Sequence, residues 1–391
     1  MKATVYHGAG DIRVDDVPEP EIASPTDAIV RLTASAICGT DLHFVRGTMP
    51  GTAEGRILGH EGVGVVEEVG AEVRNLEPGD RVVVCSTIGC GSCSYCRAGY
   101  FSQCDVANPN APTTAFFGGP EAAGGFDGMQ AEKVRVPFAH TTCVKLPDQV
   151  SDDQAILLSD IFPTGWFGAD AAEITPGDVV AVLGCGPVGQ FAIASALLMG
   201  AGRVLAVDQH ADRLATARRL GAETIDFSAE DPVETLRRLT GGAGPDRVID
   251  AVGVEAESPE GPRPDEVAEV AEEGTADGER FQPGDAPSQA LEWAVQAVAK
   301  AGTISIIGVY PPGLRTFPIG EAMNKNLTLK MGNCPHRRYV PHLIELVRTG
   351  AVDPLAIITE QETLQGAISA YEAFDARSPG WLKVELLPQG G

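Results

Sequence analysis

Positive charge is what this chain has least of. Its 391 residues carry 29 Lys and Arg against 54 Asp and Glu, a formal net charge of −25. That balance excludes nucleic acid as a partner, because phosphates demand a basic face. It argues equally against an anionic membrane surface. The excess acid reads as a solvated, self-repelling exterior that favours solubility. A long apolar run is missing too. The most apolar region, residues 179–202, is broken by glycines, Pro187 and Gln190, so it makes a poor membrane span. No secretory leader is apparent: Met1-Lys2-Ala3-Thr4-Val5-Tyr6 reads as a strand. A cytoplasmic protein is expected. In that compartment the nine cysteines should be reduced thiols or metal ligands rather than disulfides.

What is present is ordinary globular composition, 43% hydrophobic and 21% charged, in a chain too long for one core, so two domains are expected. Up to about residue 150 the sequence is a series of short β-branched runs (12–17, 28–32, 62–69, 81–85) punctuated by turn signals such as Pro78-Gly79-Asp80. This pattern predicts a partly open β-barrel. Within it, Cys90, Cys93, Cys96 and Cys104 are spaced C-x2-C-x2-C-x7-C. Four thiolates with glycines between them can enclose one tetrahedral ion, a closed structural zinc site in a lobe of about residues 86–107. An iron–sulfur cluster is the competing metal, and a disulfide pair the bland alternative. With four thiolates and no open position, this lobe is not expected to be the catalyst.

A second cluster combines Cys38, in Cys38-Gly39-Thr40-Asp41-Leu42-His43, with His60 and Glu61 in Gly59-His60-Glu61-Gly62. A lone Cys is usually a small buried hydrophobe. Here a thiolate and an imidazole together, with flanking glycines that permit close backbone approach, supply two of the three protein ligands of a catalytic zinc.

The pattern changes after Pro176-Gly177-Asp178. Val179-Val180-Ala181-Val182-Leu183 is a continuous apolar run, as expected of a strand covered on both faces. Gly184, Gly186, Pro187, Val188 and Gly189 then form a G-x-G-x-x-G turn before a helix-compatible segment. Asp208 ends the next strand. Strand, glycine turn, helix and acid together predict a Rossmann doubly wound parallel sheet binding NAD. The pyrophosphate would sit at the helix N-terminus, and Asp208 would accept from the ribose hydroxyls and repel a 2′-phosphate. Arg213, expected at the surface or adenine, keeps NADP open. Further βα units follow at 224–226, 246–253, 293–299 and 302–308. The stretch 254–288 breaks the period and reads as an acidic insertion with a short helix at 266–273, expected to cover the adenosine half of the cofactor. Residues 324–331 predict an edge strand, 340–349 a helix and 382–386 a last strand. Cys334-Pro335-His336 reads as a structural turn.

Cys-Gly-Thr-Asp-x-His, Gly-His-Glu-Gly-x-Gly-x-Val, the four-cysteine lobe and the glycine turn, in this order, resemble the zinc-dependent medium-chain alcohol dehydrogenases over nearly the whole chain. The resemblance implies a GroES-like catalytic domain (1–161 and 332–391) and an NAD-binding domain (162–331). It implies two zinc ions per subunit, with Cys38 and His60 joined by a third catalytic ligand shortly before the nucleotide domain. There Asp160 stands where many relatives carry a cysteine; a helix N-cap at Ser159 or Asp160 is the alternative. Glu61 is a conceivable transient or fourth ligand. Hydride would pass from an alcohol to the nicotinamide, with Thr164 packed against that ring. The proton would leave through Thr40, the ribose hydroxyl and His43, while Asp41 orients His60. A homo-oligomer is expected, a tetramer or else a dimer. The loop 108–128 and Asp160 resemble the formaldehyde dehydrogenase branch, some of whose members keep NAD bound and dismutate aldehydes. A polyol dehydrogenase is a further alternative; a zinc-free reductase or a non-enzymatic protein is the reading from another class.

Overall fold

Alternating and continuous apolar runs build two different sheets. The computed structural model describes residues 1–109, 113–270 and 280–388. They divide into one unit of residues 1–163, 280–282 and 334–388 and a second of 164–270 and 283–333.

The first unit is built around the ten-residue strand Ala28–Ile37. The sheet path runs Glu360–Thr363, Val384–Leu387, Ala28–Ile37, Gly62–Val69, Arg81–Val84, Cys143–Lys145, with Lys133–Val136 pairing from the side onto Ala28–Ile37. One strand serves three neighbours because its register shifts twice, between Ile29 and Val30 and between Leu32 and Ala34. Each shift bends and twists the strand, so its two halves face different partners. The path does not close, which makes it a partly open barrel of the GroES-like kind. Val30, Leu32, Val82 and Val84 are fully buried inside it, and the lobe cysteines Cys90, Cys96 and Cys104 pack onto the same core.

The second unit is a six-stranded parallel sheet in the order Glu223–Asp226, Arg203–Asp208, Val179–Leu183, Arg247–Asp250, Thr303–Ile306, Thr328–Met331. That is the doubly wound Rossmann order, with its reversal beside Val179–Leu183. Residues 180–182 and 204–206 are almost fully buried, as a strand covered on both faces requires.

Several boundaries differ from expectation. The edge strand begins at Thr328 rather than 324, because Ile319–Asn324 is helical and Asn326 turns the chain at φ 53°. Asn tolerates that left-handed conformation better than most residues. The helix expected over 340–349 starts at His336 and runs to Arg348, with the exposed Pro341 inside it. In the insertion a helix spans Pro264–Val270; residues 271–279, which include the end of the expected 266–273 helix, lie outside the described residues. Arg263 ties this segment down, donating to Ser288 Oγ (2.9 Å), Gln289 Oε1 (2.8 Å) and Glu292 Oε2 (2.9 Å). The insertion is not confined to the nucleotide unit, however. Phe281 is 5% exposed among Ile12, Phe44 and Phe374 of the first unit, and its N–H donates to Asp375 Oδ2 at 2.9 Å.

Candidate metal centres and dinucleotide loop

Cys38 sits where the strand Ala28–Ile37 gives way to the helix Gly39–Arg46. Its backbone N–H donates to Asp41 Oδ2 at 2.9 Å, so Asp41 closes the first turn, where a carboxylate also suits the helix dipole. The other oxygen, Asp41 Oδ1, faces His60 Nδ1 at 3.0 Å. Gln130 completes the support, donating to Asp41 Oδ2 (3.3 Å) and Ala36 O (3.1 Å) and accepting from Tyr371 (2.9 Å). Gly59 is required here: its φ is 90°, and a Cβ on it would lie 2.4 Å from Gln130 Cγ. With Nδ1 turned to Asp41, His60 presents Nε2 to Asp160 Oδ2 at 3.4 Å. Cys38 Sγ lies 3.5 Å from the same oxygen.

Cys38, His60 and Asp160 are 6%, 2% and 8% exposed, and their donor atoms all lie within 4.8 Å of one another. The electrostatics are those of a set awaiting a cation. Burial pushes the Cys38 thiol up, with His60 opposing and Asp160 reinforcing the shift. Burial would lower His60, but the Asp41 and Cys38 charges outweigh it and hold the imidazole well above its usual range. Burial would raise Asp160, yet hydrogen bonds from His336 and His60 keep it well below the ordinary carboxylate range. Ser159, the alternative helix cap, is committed elsewhere: its hydroxyl donates to Val84 O at 2.5 Å and accepts from Gly62 N at 3.0 Å.

Two further residues adjoin this set. Glu61 is not part of the donor group among the described residues; its carboxylate pairs with the fully buried Lys383, which also donates to Ile37 O at 3.0 Å. Burial pushes Glu61 up to about 7 against the pull of that ammonium. His336, read from sequence as part of a turn, is a correction: its Nε2 lies 2.8 Å from Asp160 Oδ1 and its Nδ1 3.0 Å from Thr87 Oγ1. Pro335 precedes it and it opens a helix, so the Cys-Pro-His run ends the turn and begins a support for the metal site. Thr40 Oγ1 is 4.0 Å from Cys38 Sγ, and buried His43 has Nδ1 3.1 Å from Thr48 Oγ1.

The second donor set is the lobe. Cys90, Cys93, Cys96 and Cys104 bring their sulfurs within 4.8 Å of one another. Backbone N–H groups point at them: Cys93 N to Cys90 Sγ (3.3 Å), Cys96 N to Cys93 Sγ (3.4 Å), Cys90 N and Ala107 N to Cys104 Sγ (3.2 and 3.3 Å). Burial opposes ionisation of Cys90, but its Ser92 and Cys93 hydrogen bonds bring it down to about 6. Burial together with Cys93 and Cys104 drives Cys96 the other way. Four such thiols ionise together only around a cation, and four sulfurs fit a closed zinc site.

In the second unit Gly184 leaves its strand at φ 86°, and a Cβ on Gly189 would lie 1.9 Å from Gly184 O. Gly186 caps the helix Pro187–Leu198, with Pro187 in the first turn. Asp208 Oδ2 accepts from Cys185 N at 2.7 Å, pinning the loop. Arg213 is nearer than expected: its guanidinium lies 4.0 Å from the Cβ position of Gly186.

A buried thiol–imidazole–carboxylate set, one donor short of a closed site, stands in the same unit as a four-thiol lobe; with the Rossmann unit they define a zinc-dependent oxidoreductase. The comparisons agree. The model of the alcohol dehydrogenase GroES-like domain matches residues 24–148, and that of the zinc-binding dehydrogenases residues 187–261. An uncharacterised zinc-type alcohol dehydrogenase-like protein of Bacillus subtilis is 40% identical over 99% of this chain and 100% of its own. A glutathione-independent formaldehyde dehydrogenase of Pseudomonas aeruginosa is 32% identical over 97% and 96%. The solved alcohol dehydrogenase of Thermus sp. ATN1 is 34% identical over 99% of each chain, with a TM-score of 0.83. The chain belongs to the zinc-dependent medium-chain alcohol dehydrogenase family. Among the described residues no helix is long and apolar enough to cross a membrane.

Proposed function

We propose that this oxidoreductase interconverts a small alcohol and its aldehyde with NAD, on a zinc held by Cys38, His60 and Asp160. The observation that carries this is the burial of those three donors within 4.8 Å of one another. When bound, zinc supplies a Lewis acid and NAD a hydride acceptor. The chain's own residues do the rest. Asp41 orients His60; Thr40 and His43 carry the proton away from the substrate oxygen; Cys90, Cys93, Cys96 and Cys104 hold a structural zinc. Glu61, whose Oε1 has no hydrogen-bond partner, is the carboxylate able to approach the metal. Residues 164–270 and 283–333 form the NAD-binding domain. Gly184, Gly186, Pro187, Val188 and Gly189 hold the pyrophosphate with Arg213 beside them, Asp208 selects the unphosphorylated ribose, and Thr164 contacts the nicotinamide.

A formaldehyde dehydrogenase or aldehyde dismutase is the second reading, favoured by the carboxylate at Asp160 and by the Pseudomonas relative. The chain assembles as a homo-oligomer, for which the exposed edge strand Thr328–Met331, with Met331 62% exposed, offers a pairing surface. Nine cysteines, five of them placed as zinc ligands, suit the reducing cytoplasm. The test is reduced-nicotinamide absorbance over alcohols, polyols and aldehydes with zinc-loaded protein, with and without added NAD or NADP. Turnover of a small alcohol with NAD is expected. Dismutation without added NAD selects the second reading, and no turnover of any class overturns both.

A further inference from the structure

The mechanism above leaves one buried imidazole unused. His336 is 2% exposed, lies 176 residues beyond Asp160 in the chain, and still reaches it at 2.8 Å. Its other ring nitrogen meets Thr87 Oγ1 at 3.0 Å, and that hydroxyl lies 3.2 Å from Cys334 O. With a partner on each nitrogen the ring has one orientation. Thr87 is itself fixed, bridging to Phe116, whose ring stands edge-on to His60.

The two oxygens of Asp160 therefore have separate surroundings. Oδ2 looks to Cys38 Sγ and His60 Nε2, at 3.5 and 3.4 Å; Oδ1 looks to His336. A carboxylate can divide itself in this way, since each oxygen carries its own lone pairs. A cysteine side chain ends in one atom rather than two, so with its sulfur turned to Cys38 and His60 nothing takes the place of Oδ1 opposite His336. We propose that His336, seated by Thr87, is the positioning residue that holds Asp160 as a one-oxygen zinc donor, and that Asp160 and His336 form an interdependent pair. The proposal rests on the reading of Asp160 as a zinc ligand.

Two consequences separate this from a merely structural histidine. First, removing His336 frees Asp160 to rotate or to turn its second oxygen inward, which changes the metal's surroundings without touching the four-cysteine lobe. Partners of this kind are typically worth about 10–100-fold in metal affinity. Second, Asp160→Cys supplies a competent zinc donor but strands the buried Nε2–H of His336 without its acceptor. The single exchange should therefore bind zinc poorly, and a second exchange of His336 for an apolar residue should recover part of what was lost.

The experiment measures zinc content and zinc affinity, by competition with a chromophoric chelator, for the full-length protein and for Asp160→Ala, His336→Leu, His336→Gln, Asp160→Cys and Asp160→Cys/His336→Leu. Cobalt-substituted spectra report the geometry of the site. Expected is a ~10–100-fold weaker site in His336→Leu with an altered cobalt spectrum. The lobe zinc should be retained, the amide donor of His336→Gln should largely rescue the site, and the double variant should bind more tightly than Asp160→Cys alone. Equal effects of His336→Leu in the parent and in the Asp160→Cys variant, or none in the parent, overturn the pairing. Loss of fold in His336→Leu leaves the Gln variant and the double variant to decide. If Asp160→Ala keeps two zinc ions, the ligand reading itself has failed; if it loses one while His336→Leu matches the parent protein, only the pairing has.

Discussion

The two donor sets of the first unit are built on opposite plans. The lobe gathers four identical ligands from residues 90–104, and backbone N–H groups of residues 90–107 serve the sulfurs. The Cys38 site gathers three different ligands, two of them 122 residues apart, and further side chains support them: Asp41 for His60, His336 for Asp160. The buried Lys383–Glu61 pair adjoins them, with Glu61 following His60 in the chain and Lys383 donating to Ile37 O. A backbone cradle makes a site whose shape depends on the metal and little else. A side-chain cradle makes one whose shape depends on the whole barrel, and that shape is expected to persist when the metal leaves.

That contrast can be broken outright by comparing Cys104→Ser with His60→Ala. The first should forfeit much of the ~10 kcal/mol or more by which zinc stabilises a small thiolate lobe, and with it the lobe's fold. The second should abolish turnover, by more than the ~100-fold that loss of a supporting partner costs, while thermal unfolding barely moves. Metal analysis and calorimetry on both variants check this. If His60→Ala unfolds as Cys104→Ser does, the two plans are one.

A smaller effect sharpens the comparison. Asp41→Asn keeps the shape of the support for His60 and removes its charge. Turnover and zinc affinity at the Cys38 site should fall by roughly 10–100-fold, with the lobe zinc unchanged; a loss of the lobe zinc as well would mean that the sites are not independently supported.

The smallest effect lies next to Lys383. Burial pushes the Glu385 carboxyl up to about 7, opposed by the hydrogen bond from Gln361 (2.7 Å) and helped by Asp153 and Asp152. Its folded value is raised, so its contribution is fully present below about pH 4.5 and is lost as pH rises through about 7. Glu385→Gln should therefore melt higher than the parent at pH 8, by an amount on the order of 2 kcal/mol, and alike at pH 5. An equal gain at both pH values would assign the effect to packing.

These two plans also explain what could be read from sequence. Cys90 to Cys104 and Gly184 to Gly189 are local devices, legible because spacing alone sets their geometry. Cys38, Asp41 and His43 lie on one short helix and its cap, and were legible as a group. Asp160 needed the family pattern, because an acid in an apolar run does not say what it faces. His336 was missed because nothing near it in the chain is a ligand, and the prolines at 335 and 341 hide the helix it opens. Lys383 and Glu385 mislead in another way. Their alternation with Leu382, Val384 and Leu386 suggests a solvated face, yet both are fully buried. Both faces of that strand are covered; Lys383 pairs with Glu61, and Gln361 donates to one oxygen of Glu385 while the other has no hydrogen-bond partner. The barrel boundary fooled the periodicity because partners supplied by tertiary structure replaced water.

The last strand, Val384–Leu387, is wedged between Ala28–Ile37 and Glu360–Thr363. A chain leaving the ribosome N-terminus first has all four lobe sulfurs in hand once Cys104 has emerged. Cys38, His60 and Asp160 are together only once Asp160 has emerged, and His336, Lys383 and the strand Val384–Leu387 follow later still. The lobe's donors thus meet within one short stretch of chain, whereas His336 and Lys383 reach Asp160 and Glu61 across 176 and 322 residues.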